Sequence, residues 1–216
     1  MDNPQYFVFN ENRSLLDEPR TVICTGMGRS GTSAVMSLLD FLGLWVGDNA
    51  RVRTRENKAL KRALQEDLSA AEAMIAEYNA QFPVWAFKAP SLRRELREVI
   101  RLFRNPLLIV PHRDVVGILG RMMASEGKPI AIEDLYRSII GQRRMLEQLQ
   151  SIDVPQLHLA FPLLTSSQDI AARAIADFVG LPMPAGDLHA HMQHYHQRYL
   201  GPPGEVEGAH PVETAQ

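Results

Sequence analysis

Cysteine is almost absent. Cys24 is the one thiol in 216 residues, so no internal disulfide can staple the chain. It lies in Val22-Ile23-Cys24, an apolar run that reads as a buried strand, and it is taken as a small core residue rather than a reactive thiol. No apolar run is long enough to cross a bilayer. The first residues, MDNPQYFVFNENR, lack the basic-then-apolar pattern of a secretory leader. These absences predict a soluble cytoplasmic protein, or a catalytic fragment of a larger one. Neither sign of charge is in excess: 23 Lys and Arg stand against 25 Asp and Glu, a net charge of −2. That excludes a broad cationic surface and, with it, nucleic acid as the expected partner. The tail holds His189, His191, His194 and His196, but no cysteine or acidic residue is patterned with them, so no metal is expected. What the chain does have is 45% hydrophobic residues and enough length for a real core. One domain is expected over residues 1–200. The Gly/Pro-rich end, 201–216, is expected to be disordered.

Strand and helix patterns alternate along the chain. Tyr6, Phe7 and Phe9 suggest an edge strand or a docked arm. After the strand at Val22–Cys24 come Ala34, Val35, Leu38, Leu39 and Leu42, spaced for one face of a helix. Two glycines and no periodicity make 43–48 a loop. Asn57 to Asn79 reads as one helix, with Leu60, Leu64, Leu68, Ala71 and Ile75 on its apolar face. Val84–Phe87 is a strand ending at Lys88-Ala89-Pro90. Ser91 then caps a helix whose stripe runs from Leu92 to Phe103. Leu107–Val110 is apolar throughout, as a parallel strand covered on both faces should be. It ends at Pro111-His112-Arg113-Asp114 and leads into a helix from Val115 to about Ser125. Ile132 to Leu149 is a long amphipathic helix that could join two copies of the chain. Leu157–Leu159 forms a fourth strand, and Thr165 or Ser166 caps a helix closed by Gly180. Alternation of this kind predicts an α/β fold: a P-loop-type parallel sheet flanked by helices in three layers, α/β/α. Ligands in such sheets sit beyond the carboxyl ends of the strands, which collects Arg29, Lys88 and Arg113 at one rim.

The stretch that carries chemistry is Gly26-Met27-Gly28-Arg29-Ser30-Gly31-Thr32-Ser33, between the first strand and its helix. A glycine-rich turn entering a helix N-terminus binds anions through backbone N–H groups and the helix dipole. Glycines let the backbone approach the ligand closely. The spacing Gly26-x4-Gly31 matches a nucleotide-phosphate loop, but Thr32-Ser33 follow where Lys and Ser or Thr belong. The cation stands upstream, at Arg29, where a guanidinium could grip phosphate or sulfate bidentately. A kinase would also need an acidic residue for Mg²⁺ at the end of the central strand, and His112-Arg113 stand there instead.

Gly-x-x-Arg29-Ser30-Gly31-Thr32-Ser33 resembles the 5′-phosphosulfate loop of the sulfotransferases that use 3′-phosphoadenosine 5′-phosphosulfate (PAPS). Ile109-Val110-x-His112-Arg113-Asp114 resembles their 3′-phosphate motif. Trp85-Ala86-Phe87-Lys88-Ala89-Pro90 is similar to the Lys-Asp-Pro segment of the bacterial and carbohydrate-type branch. Leu44–Asp48 and Ile175–Leu181 also fit that branch, so the resemblance spans roughly residues 20–182. It implies in-line sulfuryl transfer from PAPS to a hydroxyl or amine of a glycan or small molecule, without metal. Gly28, Arg29, Ser30, Gly31, Thr32 and Ser33 would hold the 5′ end of the donor, and Arg113 and Arg121 its 3′-phosphate. Arg29 and Lys88 would stabilise charge on the leaving group.

Three positions depart from the family pattern. Val115 stands where a proline usually follows the motif arginine, and Arg121 stands where a serine is usual. Pro90 stands where cytosolic members carry a catalytic histidine, so no base is carried over. Glu56 and Asp48 are the carboxylates to test for that role, each otherwise an exposed loop residue. His112 is either a strand-end histidine or a ligand contact. Arg51, Arg53 and Arg55 read as a solvated face or part of the acceptor site. The competing functions are a P-loop phosphotransferase and a non-catalytic nucleotide-binding relative.

Overall fold

The computed structural model describes residues 5–47, 56–88, 96–127 and 129–200. Asp48, the arginines at 51, 53 and 55, the Ser91 cap and the tail 201–216 lie outside the described residues. Five strands form one sheet in the order β1 (Tyr6–Phe9), β5 (Gln156–Ala160), β4 (Pro106–His112), β2 (Arg20–Cys24), β3 (Val84–Lys88). All neighbours are parallel except β1, which pairs antiparallel with β5 as an edge strand. Register sets the functional rim: Cys24 lies opposite Lys88 on one side and Ile109 on the other. The C-terminal ends of β2, β3 and β4 therefore share one end of the sheet.

Alternation along the strands splits the core into two layers, which is why the central strands are apolar at every position. Val22, Leu107, Ile109, Leu157 and Leu159 pack under α1 (Thr32–Phe41), α7 (Phe161–Ser166), α8 (Gln168–Val179) and α9 (Leu188–Leu200). Ile23, Phe87, Leu108 and Val110 pack under α2 (Lys58–Glu66), α3 (Leu68–Gln81), α4 (Leu96–Val99) and α6 (Ile132–Gln150). Helix α5 (Val115–Glu126) follows β4 directly. The result is the three-layer α/β/α sandwich expected from the sequence.

Two local expectations need correction. The helix read over 57–79 is two helices, because the Asp67 side chain accepts from Ala70 N and caps α3 just as α2 ends. Thr165 and Ser166 do not cap α8. They end α7, which Pro162 starts straight out of β5, and Ser167 is the residue between the helices. The histidine tail forms a helix, α9, capped by Asp187 through Ala190 N and anchored by buried Leu188 and Met192. Residues 43–47 form the loop that the sequence predicts, and Trp45 in it makes one isolated parallel bridge to Trp85 of β3.

Candidate functional site

The loop between β2 and α1 takes its shape from backbone conformations that most residues avoid. Gly26 has φ +152° and Gly31 φ +110°. A Cβ on Gly31 would come within 2.8 Å of Leu164 and 3.1 Å of Phe161, so glycine is required there for space as well as for φ. Arg29 is left-handed too, at φ +68°, a conformation that costs a non-glycine residue about 1 kcal/mol or more. Ser30 N–H donates to Met27 O and closes the turn. Helix α1 begins at Thr32 with no side chain capping it, which leaves its positive dipole end facing the loop. The Ser30 hydroxyl is fully buried and, among the described residues, has no hydrogen-bond partner. A buried hydroxyl of this kind calls for an acceptor.

Two cations from distant parts of the chain reach this loop. Lys88, at the end of β3 and only 4% exposed, donates from Nζ to Ser33 Oγ at 2.7 Å. Its charge is compensated by Glu56, whose Oε1 lies 3.5 Å away, while Glu56 Oε2 lies 3.4 Å from Lys61 Nζ. Glu56 is therefore a half-buried partner of two lysines, not the exposed loop carboxylate that its sequence position suggests. Arg113, just past β4, donates from Nη1 to the carbonyl of Arg29 at 3.4 Å. Its guanidinium lies over the Phe161 ring at 4.2 Å, and its Nε sits against Gly117 in the first turn of α5. Arg121 follows Gly117 by four residues on α5, so it continues the helix face along which Arg113 runs.

Phe161 escaped the sequence reading. It supports both Gly31 and Arg113, and its signal was an aromatic residue at the carboxyl end of β5, where α/β sheets build their sites. A cleft of about 1460 Å³ opens beside the loop. Met27 and Gly28 form one wall, Ile118 and Met122 of α5 another, and Arg97 and Arg144 the far side.

His112 points away from this arrangement, into the other layer. Gln156 donates its amide to Leu149 O (2.8 Å) and Ile152 O (3.0 Å), so its oxygen accepts from His158 Nε2 at 3.1 Å. His158 Nδ1 is then an acceptor, and His112 Nε2 donates to it at 2.8 Å. Burial pushes both imidazoles below their ordinary range; His158 falls to about 4, helped by the neighbouring His112. A group held neutral in the fold but protonated when unfolded makes stability fall with pH. Stability is full above pH 6.5, the ordinary value for His158, and is lost as the pH drops toward about 4. The loss is about 2 kcal/mol after allowance for partial exposure of the ring. Urea denaturation of wild type and His158→Gln at pH 7.0 and 5.0 checks this. The variant should show a flatter pH dependence, and identical slopes would remove the pair from acid sensitivity.

In the histidine tail, His191 Nε2 faces Ser37 O at 3.0 Å and Asp40 Oδ2 at 3.6 Å, which ties α9 to α1. Among the described residues no three His, Cys, Asp or Glu side chains are grouped as metal ligands would be. Among them, too, no helix is long and apolar enough to cross a membrane.

No family model and no curated protein matches the sequence. Among solved structures, the chain is similar to the sulfotransferase domain of the olefin synthase from Synechococcus PCC 7002. The TM-score is 0.53 at 14% identity, over 89% of this chain and 90% of that one. At that identity the likeness speaks for the fold.

Proposed function

We propose that the protein is a sulfotransferase that moves a sulfuryl group from PAPS to a hydroxyl or amine of a glycan or small molecule. The observation that carries this reading is the convergence of Lys88 and Arg113 on an uncapped helix start and a strained arginine loop. The two side chains that meet the loop from the ends of β3 and β4, Lys88 on the Ser33 hydroxyl and Arg113 on the Arg29 carbonyl, are both positive, as an anionic donor requires. The donor supplies the sulfuryl group and an anionic leaving phosphate. Backbone N–H groups of residues 29–33 and the orphan Ser30 hydroxyl would hold its 5′ end. Lys88 would sit beside the bridging oxygen, where negative charge grows during transfer, and Glu56 would keep its ammonium in place. Arg113 and Arg121, along one face of α5, would take the 3′-phosphate. The cleft walled by Met27 and Gly28 would receive the acceptor.

Calorimetric titration with adenosine 3′,5′-bisphosphate, ATP and GTP, with and without Mg²⁺, tests the reading. The bisphosphate should bind without metal and more tightly than either triphosphate. Tight binding of Mg²⁺-ATP with none of the bisphosphate would establish a phosphotransferase instead. Arg29→Gly sharpens the experiment, because glycine takes φ +68° freely and preserves the loop while removing the guanidinium. Its affinity for the bisphosphate should fall roughly 10–100-fold, the scale of a lost charged hydrogen bond. Unchanged affinity would take Arg29 out of the site.

A further inference from the structure

The order Gly26-x4-Gly31-Thr32-Ser33 puts Ser33 at the position whose hydroxyl ligates Mg²⁺ in a nucleotide-phosphate loop. The other half of such a metal site is an acidic side chain, normally at the end of a neighbouring strand. Strand β4 offers none, because it ends in His112 and Arg113 follows. An acid is nevertheless at hand. Glu56, just ahead of α2, reaches the same ammonium that Ser33 holds. A hydroxyl and a carboxylate are hard oxygen donors, the kind Mg²⁺ takes. Between them stands the lysine: Lys88 Nζ donates to Ser33 Oγ at 2.7 Å and lies 3.5 Å from Glu56 Oε1.

This cation is fixed in place. Lys88 is only 4% exposed, and its backbone pairs with Cys24 at the last position of β2, so strand register sets where its tip can reach. Lys61 Nζ, 3.4 Å from the second oxygen of Glu56, holds that carboxylate from the far side. A second cation has no room here. Mg²⁺ demands oxygens at about 2.0–2.1 Å in an octahedron that includes several waters. The ammonium fills the space between the two donors and repels a dication. Its single charge also suits a phosphosulfate, which carries less charge than a triphosphate.

We infer that the Lys88 ammonium, held by Ser33 and Glu56, takes the place of the divalent cation of nucleotide-phosphate loops and excludes Mg²⁺-nucleotides from this site. It does so on the reading given above, in which the glycine-rich loop holds the phosphate of the donor. The oxygen donors of a metal site are present, and the lysine alone blocks it. Removing the ammonium and its bulk should therefore turn a metal-independent phosphate site into a metal-dependent one.

ADP is the probe, because its 5′-diphosphate reaches the loop and its missing 3′-phosphate leaves Arg113 and Arg121 out of the measurement. Calorimetric titrations of wild type, Lys88→Ala and Lys88→Met are compared in excess EDTA and in millimolar MgCl₂. Mg²⁺ should not improve the affinity of wild type. Both variants should lose about 10–100-fold in EDTA, the scale of a charged hydrogen bond. Mg²⁺ should restore at least about tenfold to Lys88→Ala, where the truncation leaves room beside Ser33 and Glu56. It should restore nothing to Lys88→Met, whose side chain fills that room, or to Lys88→Ala combined with Ser33→Ala. Lys88→Ser makes the same opening should the alanine variant fail to fold. Wild-type binding that Mg²⁺ strengthens overturns the inference, and so does an opened variant that Mg²⁺ does not restore. Absence of ADP binding to wild type removes the loop as a phosphate site and the inference with it. Should ADP follow the expected pattern while adenosine 3′,5′-bisphosphate does not bind, the sulfotransferase reading falls and the role of Lys88 stands.

Discussion

Replacing Lys88 by methionine is expected to slow sulfuryl transfer by about 10²–10³-fold, the cost of losing one preorganised charge at the leaving group. The side chain is 4% exposed and fixed at its tip by Ser33, so on the proposed reading its ammonium would meet the donor without reorganising. Methionine nearly conserves the volume and leaves no cavity. Glu56 would not be stranded, because Lys61 remains 3.4 Å from its other oxygen. The fold should therefore hold, and the melting temperature should move by only a few degrees. Two readouts separate catalysis from binding: the rate of sulfate release from PAPS with water as acceptor, and the affinity for adenosine 3′,5′-bisphosphate. The rate should fall by clearly more than the affinity, since the bridging oxygen gains most of its charge on the way to the transition state. Equal losses in both would make Lys88 a binding cation and end its catalytic assignment.

The sequence made the loop, the strand ends and most helices legible because each is encoded locally. Glycines at 26, 28 and 31 and the apolar runs at 22–24, 84–87 and 107–110 identify themselves by spacing alone. The placement of Arg29, Lys88 and Arg113 at one rim needed only the rule that parallel strands end together. Pairings between distant segments were not legible. Glu56 reads as a loop carboxylate, and its place between Lys88 and Lys61 depends on how α2 packs against β3. The His112–His158 pair exists because β4 and β5 are neighbours in register, with Val110 opposite His158, and strand order is not written in either strand. The break at Asp67 is hidden in the sequence, because one capping side chain interrupts a helical periodicity that continues through it. The start of α9 is written locally, in the Asp187 cap and the Leu188–Met192 spacing.

Arg20 is the residue whose importance the sequence concealed most. Arg20 opens β2 and, although charged, is only 4% exposed. Its Nε donates to Val179 O at 2.9 Å, and Nη2 donates to the carbonyls of Val179 and Gly180. Nη1 donates to Leu16 O at 2.7 Å and Glu18 O at 2.9 Å. One guanidinium thus caps the carboxyl end of α8, where the helix dipole is negative, and ties it to the start of β2. The planar fork makes this possible, because a lysine could reach only part of the set. Arg20→Ala leaves four carbonyls without their donor, partly out of reach of water. The expected cost is about 3–4 kcal/mol, near the upper range for a single substitution. Urea unfolding should show it as a lower midpoint at unchanged slope, and Arg20→Lys should recover part of the difference. Arg20 lies at the opposite end of β2 from the glycine-rich loop. The surviving folded fraction should therefore bind adenosine 3′,5′-bisphosphate with wild-type affinity. A cost below about 1 kcal/mol would show that water replaces the guanidinium at these carbonyls. A loss of affinity in the folded variant would show instead that the two ends of the strand are coupled.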